Sequence, residues 1–435
     1  MSLPIVAVVG RPNVGKSTFV NRIAEVADAI VHETSGVTRD RSYHHADWNG
    51  REFMIVDTGG IEFATDDAFG EGIRAQAVAA AEEADVVVFL VDGRTGIQQA
   101  DEDVARLLKR SEHPVFLVVN KMDDPEREEA IHDFWSLGLG DPRPVSSIHG
   151  HGTGDLLDDI AAALPEGEDE GAEGEIRVAI IGRPNAGKSS MLNRLCGRER
   201  AIVSEVAGTT RDSIDTVVTH GERTYRLVDT AGLRRAAKID GSVEYYSFVR
   251  AMRAIDRAQV ALLVVDAPLG VTDQDQRVAR FAEERGCGMA VLLNKWDLLD
   301  EEGRLKVADD LPRKLGFISF APLQRVSALT GRGCNRVFDL VDTVYASYTR
   351  QISTSALNRL LTEMRDFGHT VSKGKMTLRV NYVTQTGTEP PVFTFFCNHP
   401  RLADDNFRSY TENRMRAAFD LTGTPVVLKF RKKGD

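Results

Sequence analysis

Cysteine is scarce in this chain of 435 residues, which holds only Cys196, Cys287, Cys334 and Cys397. None stands in a C-x-x-C pair or beside paired histidines, so a disulfide framework and a zinc site are not expected and reduced thiols are. Long apolar runs are also missing; none approaches the roughly 20 residues of a membrane helix, and no membrane partner is expected. No basic stretch or cleavage pattern precedes the first apolar run, so no leader is expected and the cytoplasm is the expected compartment. Positive charge is in deficit, with 54 Lys+Arg against 65 Asp+Glu and a net charge of −11. The deficit is uneven: residues 350–435 carry 14 Lys/Arg against 8 Asp/Glu, a surplus of six, so the rest of the chain stands at −17. A basic tail on an acidic body suits a polyanionic partner, although the surplus could equally complement the body itself.

The stretch around which the chain is arranged is Gly10-Arg11-Pro12-Asn13-Val14-Gly15-Lys16-Ser17. It has the G-x-x-x-x-G-K-[ST] spacing of a phosphate-binding loop, between an apolar run at 3–9 and a helical pattern from 18. Glycines let backbone N–H groups turn towards a phosphate, and the following helix adds the positive end of its dipole. Lys16 would reach the β- and γ-phosphates, and Ser17 would ligate Mg²⁺. A lone match could be an ordinary glycine turn. The pattern recurs, however, 172 residues on, as Gly182-Arg183-Pro184-Asn185-Ala186-Gly187-Lys188-Ser189. Thr38-Arg39-Asp40 recurs as Thr210-Arg211-Asp212, and Asp57-Thr58-Gly59-Gly60 as Asp229-Thr230-Ala231-Gly232. Asn120-Lys121-Met122-Asp123 recurs as Asn294-Lys295-Trp296-Asp297, now 174 residues apart. A whole domain has been duplicated.

Each motif supplies one part of a site. Asp57 and Asp229 would hold Mg²⁺, and the glycine that ends each D-x-x-G would offer an N–H to the γ-phosphate. Thr38 and Thr210 could close on metal and γ-phosphate and release when that phosphate leaves. The Asn-Lys-x-Asp pairs select the base, because an aspartate accepts from both N1–H and the 2-amino group of guanine. Adenine offers neither donor there, so GTP rather than ATP is expected. Ser327-Ala328 looks like a loop whose N–H supports guanine O6; the first copy has Ser146-Ser147, a departure expected to be harmless.

The residue after each D-x-x-G is Ile61 or Leu233. Neither can orient an attacking water as a glutamine would. Another group must help, and Asn13 and Asn185 are placed to hold a K⁺ beside the phosphates.

The alternation of short β-branched runs with helical patterns predicts an α/β fold with a mostly parallel sheet and helices on both faces. Strands are expected at 3–9, 52–56, 86–91 and 115–119, with helices at 70–84 and 100–109. The second copy expects strands at 177–181, 224–228, 260–265 and 288–293. Residues 165–175 contain six acids and three glycines, a composition for a self-repelling tether. The expected organisation is a first domain at 1–164, that linker, a second domain at 176–350, and a small α+β domain at 351–435. In the last, the order is helix 355–364, strand 377–383, strand 392–397, helix 404–419 and strand 425–430.

Two tandem G domains with G-R-P-N-x-G-K-S, followed by a short α+β domain, resemble the double-Era-like GTPases, the Der/EngA family. The stretch Pro390-Pro391-x-Phe393 leading to Asn398, and Gly423-Thr424-Pro425, resemble that family's KH-like domain. The resemblance covers the whole chain. It implies Mg²⁺-dependent GTP hydrolysis by a monomer, coupled to assembly of the large ribosomal subunit, with rRNA and ribosomal proteins as partners. It also implies nucleotide-dependent movement of the first G domain over the KH-like one. An RNA-clamping KH domain usually carries G-x-x-G, and Gly368 and Gly374 lack that spacing, which puts that mode of clamping in doubt. Lys429, Arg431, Lys432 and Lys433 are candidates for rRNA phosphates, with a solvated tail as the alternative. The competing readings are a scaffold with one silent G domain and a tRNA-modification GTPase. The motifs are intact in both copies and there are two G domains rather than one, so neither is favoured.

Overall fold

The computed structural model describes residues 3–26, 43–57, 77–78, 80, 84–123, 125–165, 174–197, 202–207, 214–230, 244–366, 372–373 and 376–432. It divides into two compact units, Met1–Asp169 with Gly241–Arg250, and Glu170–Asp240 with Ala251–Asp435.

The first unit is built on a six-stranded sheet of β1 (Ile5–Val9), β2 (Tyr43–Trp48), β3 (Arg51–Asp57), β4 (Val86–Asp92), β5 (Val115–Asn120) and β6 (Arg143–Pro144). The order is β2-β3-β1-β4-β5-β6. Only β2 runs antiparallel, against β3. β1 and β4 are buried along their whole length, which is why they read as unbroken apolar runs rather than alternations. Phe19, Val20 and Ile23 of helix Lys16–Val26 share one core with Leu156, Leu157 and Ile160 of helix Thr153–Ala163. The helix expected at 70–84 falls mostly outside the described residues.

The second unit repeats this sheet with β7 (Glu175–Ile181), β8 (Ile202–Ala207), β9 (Ile214–His220), β10 (Arg223–Leu227), β11 (Val260–Asp266), β12 (Gly288–Asn294) and β13 (Leu323–Arg325). The order is β13-β12-β11-β7-β10-β9-β8. The pairs β8–β9 and β9–β10 are antiparallel. In both copies the ends of the parallel strands carry the loops that the motifs occupy, the usual place for a ligand in such sheets.

The same unit ends in β14 (Ser372–Lys373), β15 (Met376–Thr377), β16 (Val380–Gly387), β17 (Val392–Cys397) and β18 (Val427–Lys432). Helices Thr354–Asp366 and Asp405–Ala418 pack on one face of the three-stranded sheet β16-β17-β18. β16 starts three residues later than the apolar pattern suggested, because Thr377 pairs in the small hairpin β14–β15. This α+β part is joined to the preceding G domain at Gly423. Gly423 O accepts from Met289 N at 2.6 Å, and its N–H donates to Phe320 O at 2.9 Å. Gly423 has φ +77, and a Cβ there would lie 2.4 Å from Val344 Cγ2, so only glycine passes. Arg416 lies over the Phe320 ring at 4.8 Å.

Candidate functional site: two nucleotide cradles

Glycine is needed in each phosphate loop because the loop runs against the neighbouring strand and the base-reading asparagine. A Cβ on Gly10 would lie 2.3 Å from Leu90 O of β4; one on Gly182 would lie 2.4 Å from Val264 O of β11. A Cβ on Gly15 or Gly187 would meet Asn120 Nδ2 at 2.5 Å or Asn294 Nδ2 at 2.2 Å. Asn13 and Asn185 hold left-handed backbones, φ 66 and 61, which asparagine tolerates. Both of their side chains are exposed.

The two lysines take the same position. Lys16 Nζ donates to Gly10 O at 2.7 Å and Arg11 O at 3.0 Å. Lys188 Nζ donates to Gly182 O and Arg183 O, both at 2.7 Å. Burial lowers the pKa of Lys16, against the opposing pull of Asp57. Burial pushes Lys188 down to about 8, opposed by Asp275 and reinforced by Arg183. A phosphate would favour the charged form, so the folded, empty site has the lower pKa and binding near or above pH 8 takes up a proton. Affinity at the second site is therefore expected to fall as pH rises past about 8, by up to about tenfold per unit. Titration calorimetry in two buffers of different ionisation enthalpy measures that proton; zero uptake at about pH 9 would mean that Lys188 is already charged when empty.

Ser17 Oγ donates to Asp57 Oδ2 at 2.5 Å. A hydroxyl and a carboxylate, both hard oxygen ligands, meet beside the buried lysine, and this donor pair fits Mg²⁺ once phosphate oxygens complete the shell. In the second copy β10 ends at Leu227, and Asp229 follows in a left-handed turn with φ 54. Its N–H donates to the buried Asp215 at 3.0 Å. Asp215 is gripped in turn by Arg257 at 3.2 and 2.6 Å. Thr230 is buried, with its hydroxyl 2.7 Å from that of Thr216. Thr38, Thr58, Gly59, Gly60, Ile61, Thr210, Ala231, Gly232 and Leu233 lie outside the described residues.

The base-reading loops are wired to the phosphate loops identically. Asn120 Nδ2 donates to Val14 O at 2.8 Å, and Asn294 Nδ2 to Ala186 O at 2.8 Å. Their Oδ1 atoms accept from Ser147 N at 3.1 Å and Ala328 N at 3.0 Å. The departure from Ser-Ala in the first copy adds a bond, Ser147 Oγ to Asn120 Oδ1 at 2.7 Å. Lys121 Nζ bridges Asn13 O and Asp92 Oδ2, both at 2.7 Å. Lys295 Nζ bridges Asn185 O at 3.0 Å and Asp266 Oδ2 at 2.6 Å. These lysines are thus fixed across the gap between the two loops.

The base-reading aspartates differ between copies. Asp123 is held by Ser146 Oγ and by the Arg94 guanidinium. Those bonds, the one from Ser146 first, lower its pKa. Asp297 is exposed, and its copy has Pro268 at the position of Arg94.

Three pairs of residues escaped the sequence reading. Asp92 and Asp266 end β4 and β11; burial opposes the charge on Asp92, but its bonds from Lys121 and the Arg94 N–H outweigh that and lower its pKa. Asp101 and Asp275 are buried carboxylates in the first turns of the next helices. Asp101 bonds Arg11 Nε at 3.2 Å, and Asp275 bonds Arg183 N at 3.3 Å. Arg183 Nη2 reaches Asp266 Oδ2 at 3.2 Å. Arg11 and Arg183 therefore line the cradle with backbone, their guanidinium groups being engaged elsewhere. The third pair is Arg22 and Arg194 on the phosphate-loop helices. Arg22 Nε donates to Ser147 O at 3.0 Å, and its Nη2 to Ile148 O. Arg194 Nε donates to Ala328 O at 3.0 Å, and its Nη2 to Leu329 O. A rigid fork thus ties the helix at the phosphates to the loop at the base. Losing two such bonds is worth about 1–2 kcal/mol, so Arg194→Ala is expected to weaken GDP at its own site about tenfold. Calorimetry checks this, and unchanged affinity would mean that the loop holds itself.

The description "50S ribosome-binding GTPase" matches residues 5–121 and 177–295. A second, "KH-domain-like of EngA bacterial GTPase enzymes, C-terminal", matches residues 351–431. The chain is 47% identical over 438 residues to GTPase Der of Heliobacterium modesticaldum, covering 100% of this chain and 99% of that protein. It is 46% identical over 437 residues to GTPase Der of Moorella thermoacetica, covering 99% of each. To GTPase Der of Listeria monocytogenes it is 44% identical over 437 residues, with full coverage of both.

Proposed function

The chain belongs to the Der family of GTPases, and on that premise we propose that its two G domains time a step in assembly of the large ribosomal subunit. That it binds and hydrolyses GTP follows from the family. The proposal adds that the nucleotide state of the two pockets gates docking on the subunit. The observation that supports it most is the duplicated wiring: among the described residues both copies tie phosphate loop, base loop and lysine bridge into one network. A contact that alters one loop therefore bears on the other, which is what a gate requires. The description of the matched G-domain family as ribosome-binding, and the basic tail, point to the partner.

At each pocket the chain's own groups do defined work. The loop N–H groups and the lysine bind and orient the β- and γ-phosphates, and Asp123 or Asp297 selects guanine. Ser17 with Asp57, and Ser189 with Asp229, would hold Mg²⁺, which supplies charge neutralisation at the phosphates. With no glutamine after D-x-x-G, we assign Asn13 and Asn185 to holding a K⁺ against the phosphates; their exposed amides support this. Equal turnover in K⁺ and Na⁺ buffers would dispose of that assignment. We place the domain limits near residues 164, 175 and 350, and the site of action in the cytoplasm. No helix among the described residues is long and apolar enough to cross a membrane.

Co-sedimentation with purified large subunits tests the gate. Pelleting with a non-hydrolysable GTP analogue but not with GDP is expected. No pelleting in any nucleotide state, or equal pelleting in all, would overturn it.

A further inference from the structure

The carboxylates assigned to Mg²⁺ are held differently in the two copies. In the first, Asp57 is still part of β3, paired with Val8 of β1, and accepts directly from the Ser17 hydroxyl. In the second, Asp229 has left β10 and stands in a left-handed turn, φ 54. That backbone is disfavoured for a residue with a Cβ, so neighbouring groups must hold it. Those groups come from β9. The Asp229 N–H donates to Asp215 Oδ1 at 3.0 Å, and the hydroxyl of Thr230 lies 2.7 Å from that of Thr216.

Asp215 has no exposed surface. A carboxylate so placed is costly to bury unless charge and hydrogen bonds answer it. Arg257, the last residue of helix Glu244–Arg257, answers with its fork, Nη1 to Oδ1 at 3.2 Å and Nη2 to Oδ2 at 2.6 Å. Arg226 Nη1 adds a cation 3.6 Å from Oδ2, and its Nε donates to Glu175 at 2.7 Å. The direction of the carboxylate is thereby fixed. In the first copy, at the offsets of 172 and then 174 residues that relate the two, Tyr43, Met54 and Glu83 stand in the places of Asp215, Arg226 and Arg257. That set holds no cation.

We infer that Asp215, gripped by Arg257, is a positioning residue of the second pocket, holding the turn in which Asp229 presents its carboxylate to Mg²⁺. The inference rests on the reading of Asp229 as a magnesium holder given above. The alternative is a buried ion pair that only steadies the sheet. The two part company over Mg²⁺. A merely structural pair, once broken, weakens nucleotide binding with or without the metal. A positioning pair loses only the share that the metal contributes.

The test uses the full chain carrying Asp123→Asn, which takes guanine away from the first pocket, and a fluorescent non-hydrolysable GTP analogue followed by anisotropy in Mg²⁺ and in EDTA. The ratio of the two affinities measures the Mg²⁺ contribution at the second pocket. Asp215→Asn and Arg257→Gln are each expected to cut that ratio about five- to thirtyfold, the worth of releasing one left-handed residue, and to leave the affinity in EDTA unchanged. The amide oxygen in Asp215→Asn can face the turn N–H or the Arg257 fork but not both. Arg257→Lys, which keeps the cation and loses the fork, should fall between, and it carries the test if the neutral variants do not fold. The reciprocal chain, with Asp297→Asn in place of Asp123→Asn, reports on the first pocket, where Asp215→Asn should change nothing. A ratio unaltered in the variants, an equal fall in Mg²⁺ and in EDTA, or a matching loss at the first pocket of the folded protein would overturn the inference. Asp229→Ala separates it from the reading beneath. If Asp229→Ala abolishes the Mg²⁺ contribution while Asp215→Asn and Arg257→Gln keep it, the reading of Asp229 stands and this inference falls. If Asp229→Ala keeps the full contribution, that reading falls and takes this inference with it.

Discussion

Asp297→Asn is expected to weaken GTP at the second pocket by about a thousandfold or more, and to confer a preference for xanthosine triphosphate. The carboxylate accepts from both N1–H and the 2-amino group of guanine. An amide can accept only one of these and turns its own N–H donors towards the other, leaving polar groups unpaired in the site. Xanthine carries a carbonyl at C2, so it can donate N1–H to the amide oxygen and accept from the amide nitrogen. Asp123→Asn should do the same in the first pocket. The size of the effect need not be equal. Asp123 starts in contact with Arg94 and Ser146, which guanine must displace or share, whereas Asp297 is exposed. The Arg94 pair is half exposed, so that difference is about 1 kcal/mol at most. Calorimetry with GDP and xanthosine diphosphate reads the outcome directly. An Asp297→Asn protein that still binds two guanine nucleotides with wild-type affinity would mean that the base is read elsewhere.

Lys16→Ala and Lys188→Ala are each expected to lower GTP hydrolysis in the altered domain by about a hundred- to a thousandfold. Each ammonium donates to two carbonyls of its own loop. The lysine therefore shapes the loop as well as offering its charge to phosphate, and an alanine does neither. Phosphate release from the two single variants divides the total activity between the pockets, and the double variant should lose essentially all of it. A single variant with undiminished turnover would identify the altered pocket as silent, while a double variant that still hydrolyses GTP would remove these pockets from the chemistry.

Much of the site was legible because it is local. Gly10 to Ser17 and Asn120 to Asp123 each follow a strand end directly, so spacing along the chain is also spacing in space. The apolar runs at 86–91 and 260–265 became strands buried along their whole length. Less legible were β2, β8 and β9, which turn antiparallel. Their half-polar sequences, such as that of Tyr43–Trp48, do not stand out as apolar runs. The expected strand at 377–383 also shifted to Val380–Gly387, because pairing partners decide where a strand begins.

By itself the sequence determined that there are two copies of one nucleotide-binding domain, which base they read and that a small α+β domain follows them. Repetition at a fixed offset and short motifs survive in one dimension, since their chemistry depends on neighbours in the chain. Only the tertiary structure decided which distant groups meet. It put Arg22 on Ser147 and Arg194 on Ala328, Lys121 between Asn13 and Asp92, and Asn120 against the glycine of the phosphate loop. It also set Arg257 on Asp215 behind the turn of Asp229. Such contacts join segments far apart in the chain, outside any window in which composition or period can be read.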